Sequence, residues 1–168
     1  MDKIILLLLF FNLISCSQST TDSIPLDLKN LTQEESIAKI KNQQIDFSQK
    51  DLFNNSLLHI ASDLGQEDVI DQLLASKKIA PNIPNDKSLL PIHLAAISGN
   101  LSIIKKLIKY GHKANPVDDA GFTPFHYAAM NNFEHILDFY LQNGVSIDIQ
   151  TTTGFTALML SCLEKHYE

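Results

Sequence analysis

Three short segments of this chain repeat one pattern at nearly constant spacing. They read SLLHIA from Ser56, LPIHLAA from Leu90 and TPFHYAA from Thr123. The histidines within them, His59, His93 and His126, are 34 and then 33 residues apart. A fixed period of roughly 20–50 residues indicates stacked copies of one supersecondary unit, each burying its apolar face against the next copy. The spacing therefore predicts a repeat architecture.

The residues after Gly121 show what one unit contains. Thr123 is placed to cap a helix through its hydroxyl, and Pro124 fits the first helical turn, where its missing N–H has no cost. Ala128 and Ala129 give that short helix a small-residue side on which a neighbouring helix can lie. A second helix is predicted from a further group of apolar residues, Ile136, Leu137, Phe139, Tyr140 and Leu141. Each unit is thus a pair of short helices followed by a loop.

The segment from Thr123 to Ala128 resembles the Thr-Pro-Leu-His-x-Ala signature of ankyrin repeats. That resemblance implies an all-α solenoid of stacked helix-turn-helix units with β-hairpin-like loops. It also implies that the motif histidine hydrogen-bonds backbone between neighbouring units. The positions that carry this structural motif are His59, His93, Thr123, Pro124, His126 and Thr156.

The repeat pattern divides residues 31–168 into five parts. Residues 31–54 form an N-terminal partial repeat, with a capping box at Thr32 and Glu35 before its helix. Residues 55–87, 88–120 and 121–153 form full repeats, and residues 154–168 a half repeat with Met159 in the histidine's place. For that last unit we expect either that the tail from Glu164 or a partner covers it, or that the chain is a truncated form of something longer.

The first fifteen residues read as an export signal. An apolar run from Ile4 to Phe11 is too short to span a membrane and suits the core of a secretory signal. It ends in Leu-Ile-Ser-Cys at Cys16, which resembles the lipobox of bacterial lipoproteins. The resemblance implies removal of residues 1–15, lipidation of Cys16 and a flexible tether over residues 16–30. With Ser17 next, it implies the outer membrane facing the periplasm, if the host is Gram-negative.

Other fates of this segment stay open. Ser15 and Ser17 occupy the −3 and −1 positions for ordinary cleavage before Gln18, which would release a secreted protein. Alternatively, Cys16 is an ordinary residue of a discarded signal, or the segment is an uncleaved anchor.

The net charge narrows the class of partner, and the cysteines say little about it. The formal net charge is −6, and no lysine cluster stands out along the sequence. This argues against nucleic acid or anionic lipid as the main partner. Beyond Cys16 the chain has one cysteine, Cys162, for which we expect a small buried side chain.

The sequence offers little to a catalytic hypothesis. Equivalent histidines in stacked repeats lie ~10 Å apart, whereas ligands sharing Zn²⁺ lie ~2 Å from it. His112, His135 and His166 have no ligand at metal-binding spacing, and the Asp118-Asp119 pair is predicted to be a solvated loop turn. We therefore predict no enzyme, metal, cofactor or small-molecule substrate, and a monomer.

The ankyrin resemblance implies a concave binding surface made of loop tips and the exposed side of each first helix. A stripe of apolar residues is expected across it, formed by Phe53, Leu89, Ile97, Phe122, Met130 and Phe155, although Phe122 and Phe155 could instead pack on the neighbouring loop. The complete set of predicted partner-binding residues is Phe53, Asp63, Asp86, Lys87, Leu89, Ile97, Ser98, Asp119, Phe122, Met130, Asn131 and Phe155. Such a stripe suits another protein.

The hypothesis from sequence is a non-catalytic protein-binding module tethered to the bacterial cell envelope. One alternative is an immunity protein or inhibitor that blocks a toxin or hydrolase. Others are a secreted effector that binds a host protein and a truncated repeat protein with little specific binding.

Overall fold

The computed structural model describes residues 32–42, 46–80 and 82–164. Those residues form eight α-helices and no strand; the only pairings of β type in them are two isolated bridges, Lys50 with Ser56 and Gln150 with Thr156. In chain order the helices are α1 Gln33–Lys41, α2 Leu57–Asp63, α3 Glu67–Ala75, α4 Pro91–Ile97, α5 Leu101–Lys109, α6 Pro124–Met130, α7 Glu134–Gln142 and α8 Ala157–Glu164. The predicted all-α helix-pair solenoid is confirmed.

Local sequence explains where these helices start. At α1 the predicted capping box is present: the Glu35 amide donates to Thr32 Oγ1, and the Thr32 amide donates to the Glu35 carboxylate at 2.9 Å. At α6 Thr123 caps the His126 amide and Pro124 occupies the first turn. Both arrangements satisfy amide groups that a helix start would leave without a partner.

The short turn between the two helices of a unit requires a left-handed residue. Gly99 has φ +77°, and a Cβ there would lie 2.9 Å from Cε1 of Phe133 in the next unit. Asn132 takes the same backbone conformation in the third repeat, with φ 57°. Glycine at position 99 therefore serves both the turn and the close approach of its neighbour.

The helices form two layers. The inner helices α2, α4, α6 and α8 pack on one another in that order, and among the outer helices α1 packs on α3 and α3 on α5. Each outer helix from α3 to α7 also packs on the inner helix of its own unit. The core lies between the layers and is almost wholly aliphatic and aromatic; its largest fully buried side chains include Tyr127, Tyr140, Ile92, Ile103 and Leu107.

Two sequence expectations about single residues are wrong. Cys162 is exposed, because the outward side of α8 carries no further helix among the described residues. Asp118 is buried, because its carboxylate accepts hydrogen bonds from its own loop and from Tyr127. A loop carboxylate folded back on the backbone is shielded by that loop.

The predicted signal at residues 1–15, the lipidation site Cys16 and the tether over residues 16–30 lie outside the described residues. Across the three described ranges, no helix combines the length and the apolar character needed to cross a membrane.

Candidate protein-binding surface

The motif histidines link each repeat to the loop that follows it. The Nε2 atom of His59 lies 2.9 Å from the carbonyl oxygen of Leu89, and those of His93 and His126 lie 3.2 and 3.0 Å from the carbonyls of Pro116 and Ile149. In each case Nδ1 accepts the amide N–H three residues earlier, as at Ser56, so Nε2 carries the proton and donates. The imidazole thus joins a helix start to a loop.

Burial keeps these imidazoles neutral. All three side chains are fully buried, and burial lowers the pKa of His59 to about 4. Burial also lowers the pKa values of His93 and His126. A neutral histidine has one donor and one acceptor nitrogen, which is what these bonds require. Both ring nitrogens of each motif histidine are therefore engaged in structural hydrogen bonds.

The loop tips are rigid for a separate reason. At the same position of successive repeats, Asp51, Asn85, Asp118 and Thr151 each accept backbone N–H bonds from their own loop through a side-chain oxygen. Adjacent tips are also joined: the Asp86 amide donates to the Phe53 carbonyl and the Thr152 amide to the Ala120 carbonyl, both at 3.1 Å. Between these two pairs, the Ser88 hydroxyl donates to the Asp119 carboxylate of the next tip. The tips therefore form a connected row.

The third repeat adds a buried polar pair that the sequence reasoning missed. The Tyr127 hydroxyl donates to Asp118 Oδ2 at 2.7 Å, and burial beside this carboxylate raises the pKa of Tyr127. The equivalent residues in other units are aliphatic: Ile60, Leu94 and Leu160. A tyrosine at a position otherwise aliphatic, nine residues after an aspartate, is the sequence signal that could have revealed it.

The predicted apolar stripe is wrong for three of its residues. Leu89, Phe122 and Met130 are buried. Phe122 turns inward onto the rings of Tyr127 and His126, with centroids 5.5 and 5.9 Å away, so the loop packs on its own inner helix. Leu89 is part of the buried core, and its backbone carbonyl accepts the hydrogen bond from His59 of the preceding unit. Met130 belongs to α6, which is flanked by α4 and α8.

The rest of the predicted surface is divided between exposed and half-buried side chains. Ile97 and Phe155 pack partly against the core. Half-buried Ser98 donates to Asp63 Oδ1 at 2.5 Å, which joins the ends of α2 and α4. The exposed members are Phe53, Asp86, Asp119 and Asn131.

Phe53 is the exposed aromatic residue of the tip row. It is 46% exposed, and Lys87 Nζ from the next tip lies 5.7 Å from its ring centroid. Leu52 beside it is more exposed still, at 62%. The tips of the first two repeats thus present an apolar pair with Lys87 and Asp86 at its edge. We call Leu52, Phe53, Asp86, Lys87 and Asp119 the tip row.

Metal chemistry has no visible basis in the part of the chain described. No group of three or more histidine, cysteine, aspartate or glutamate side chains in those ranges could hold an ion. Each motif histidine already uses both ring nitrogens.

Comparisons with known proteins agree with this architecture. The chain is 26% identical to putative palmitoyltransferase ZDHHC13 of Danio rerio over 86% of this chain and 23% of the relative. It is 28% identical to protein phosphatase 1 regulatory subunit 27 of Homo sapiens, over 54% of this chain and 58% of the relative. It is 32% identical to the nuclear factor NF-kappa-B p105 subunit of Mus musculus, over 69% of this chain and 12% of the relative. The chain thus covers less than two thirds of each of these relatives.

These relatives include a protein named as a regulatory subunit and one named as an enzyme. The repeats themselves imply protein–protein interaction and are typically non-catalytic. A family profile described as "Ankyrin repeats (3 copies)" matches residues 28–118 and again residues 92–168. The chain belongs to the ankyrin-repeat family.

Proposed function

We propose that this protein binds another protein through the tip row and the adjoining ends of the inner helices. The observation that carries the proposal is the connected row of loop tips with Phe53 exposed on it. Aromatic residues held in a rigid setting are frequent anchors of protein interfaces, because little conformational entropy is lost when they are buried.

The carboxylates of this surface favour a partner with basic groups beside an apolar one. Asp86 and Asp119 are exposed on the tip row, and half-buried Asp63 ends α2. Ser88 donates to the Asp119 carboxylate and Ser98 to Asp63, so two of these carboxylates are held in place. Fixed carboxylates contribute to orientation and specificity on binding.

A photocrosslinking amino acid at position 53 tests this proposal in cells that express the protein. The matched control places the same group at position 138, an exposed site on outer helix α7. We expect a discrete adduct with one protein from position 53 and none from position 138. The purified adduct partner should then bind Phe53→Ala about tenfold or more weakly than the parent protein.

Equal adducts from both positions, or unchanged affinity of Phe53→Ala, would place the binding surface elsewhere. Replacing exposed Phe53 should leave folding intact, so circular dichroism and the unfolding midpoint serve as the control for that variant.

We further propose that the repeats act at the bacterial cell envelope through lipid on Cys16. The support is the apolar run followed by Leu-Ile-Ser-Cys. Intact mass and membrane partitioning of the protein made from its own signal, beside Cys16→Ser, provide the test. A lipid-sized mass gain that the substitution abolishes supports the tether, whereas a soluble product beginning at Gln18 contradicts it.

A further inference from the structure

The fold gathers lysines that are far apart in the sequence onto one edge. Exposed Lys41 ends α1, exposed Lys77 and Lys78 follow α3, and exposed Lys109 and Lys113 lie at and after the end of α5. We call these five residues the basic edge. The outer helices α1, α3 and α5 each contribute at or just after the carboxyl end, where a cation is also favoured by the helix dipole.

Contacts between the outer helices show that these ends are level. Ser102 in the first turn of α5 donates to Glu67 in the first turn of α3, and one turn later Lys106 Nζ lies 2.6 Å from Asp71 Oδ2. Helices α3 and α5 therefore run parallel and in register. The segment after α1 reaches the same level, because Lys78 Nζ lies 5.0 Å from the ring centroid of Phe47.

The acidic side chains of the outer helices lie mainly at the other end. Acidic residues occupy the first turns of α1 and α3, at Glu34, Glu35, Glu67 and Asp68. A nine-residue helix is ~13 Å long, which exceeds the screening length of about 8 Å in physiological salt. Near the edge itself, Asp71 is paired with Lys106, and Asp46 is an exposed carboxylate. The edge is thus locally positive on a chain of net charge −6.

The composition of the edge favours a diffuse anionic surface over a nucleic acid. All 13 Lys and Arg residues of the chain are lysines, which act as point charges, whereas recognition of base edges relies largely on the paired donors of arginine. Tyr110 at the end of α5 is 45% exposed beside Lys109. Tyrosine and lysine together are typical of a membrane–water interface.

We propose that the basic edge rests on the anionic headgroups of a lipid bilayer. This contact is separate from the tip row and from lipid at Cys16. It would set how the solenoid is oriented on a membrane, with the outer-helix ends against the surface.

Vesicle sedimentation of the full chain tests the proposal. The readout is the ratio of binding to vesicles of 30% phosphatidylglycerol in phosphatidylcholine over binding to phosphatidylcholine alone, since the apolar N-terminal run can bind both. The edge variant is Lys77→Gln with Lys109→Gln. The matched control is Lys50→Gln with Lys105→Gln, which removes the same charge from exposed positions outside the basic edge and the tip row.

We expect the parent protein to prefer the anionic vesicles in 50 mM salt and to lose that preference in 500 mM salt. The edge variant should lower the ratio about fivefold for each lysine removed, and the control should leave it within about twofold. Unchanged unfolding midpoints confirm that both variants fold.

Three outcomes would overturn the proposal. The parent protein could show no preference between the vesicles at low salt. The two variants could lose binding equally, which would show that binding depends on the net charge of the protein and not on the basic edge. A 20-nucleotide single strand could displace the protein from anionic vesicles and lose its own binding in the edge variant, which would assign the edge to nucleic acid.

Discussion

Helices α6 and α8 occupy the same place in successive units, yet their side chains meet different surroundings. All seven residues of α6 are buried, including Phe125 and His126. At the equivalent positions of α8, Leu158 is 69% exposed and Met159 is 51% exposed. Helix α6 lies between α4 and α8, whereas the described helix that packs extensively on α8 is α6 alone.

This contrast shows that the neighbouring unit decides whether a residue belongs to the core. Leu158 is as apolar as Ile92 and Leu58, which stand at its place in earlier units and are fully buried. In a solenoid each repeat contacts only its neighbours, so stability is close to a sum of repeat and interface contributions. The predictions below begin with this contrast and are given in order of decreasing effect.

Truncating equivalent apolar side chains in α6 and α8 should give the largest difference in the free energy of unfolding. Phe125→Ala removes a buried ring that packs on Tyr140 and should lower the free energy of unfolding by about 3–5 kcal/mol. Leu158→Ala at the equivalent site of α8 should change it by less than about 0.5 kcal/mol. Urea denaturation of both variants measures this, and similar losses would show that α8 is covered as well as α6.

Acid should lower the stability of the interior units, which contain buried histidines, and should have little effect on the last unit. Because burial lowers the pKa of His59 to about 4, the unfolded chain binds more protons than the folded one between pH 6.5 and 4. His59 alone should therefore cost about 3 kcal/mol of stability as pH falls through that range, with full stability above pH 6.5. Unfolding in urea at several pH values measures this.

The matched control for acid is Met159→His, which places an imidazole at the exposed equivalent site. It should leave the pH dependence of the parent protein unchanged. A flat unfolding free energy between pH 4 and pH 7 in the parent protein would contradict the role given to the buried histidines.

Comparing the same substitution at two buried tyrosines distinguishes the contribution of a hydrogen bond from that of packing. Tyr127→Phe removes the donor to the buried Asp118 carboxylate and should cost about 1.5–3 kcal/mol. Tyr140→Phe should cost little, because its hydroxyl has no partner among the described residues. Thermal unfolding of the two variants decides between them, and equal losses would mean that the Asp118 bond contributes nothing particular.

The smallest effect concerns His112, which is buried with neither ring nitrogen bonded within the described residues. The equivalent residues are aliphatic, Ile79 and Val145. His112→Val should therefore stabilise the protein by about 1 kcal/mol at pH 7, and by more at pH 5, because burial lowers the pKa of this imidazole to about 4. Destabilisation in chemical denaturation would show that the imidazole has a partner outside these residues.

The repeat spacing predicted the fold, because helix starts and turns depend on nearby residues. The Thr123 cap, the Pro124 turn and the capping box at Thr32 act over three or four residues, so they can be recognised in sequence. The paired helices of each unit follow from the same local signals together with apolar spacing.

The candidate surface could be predicted only in part. Phe53 lies within its loop turn and is exposed, whereas Phe122 lies just past the turn of its loop and packs on Tyr127. The inward packing of Phe122 depends on rings outside the loop, those of His126 and Tyr127. The basic edge was missed for the same reason, since Lys41, Lys77 and Lys109 come together only through the packing of α1 on α3 and of α3 on α5.

The central claim is that coverage by neighbouring units decides which residues belong to the core. Native-state hydrogen exchange at Ala128 in α6 and at Ser161, its equivalent in α8, tests this claim most directly. Helices covered on both sides should open only with the whole domain, whereas a helix covered on one side should open locally. We predict that Ala128 exchanges at the free energy of global unfolding and Ser161 at least about 2 kcal/mol below it. Equal protection at the two sites would contradict the account.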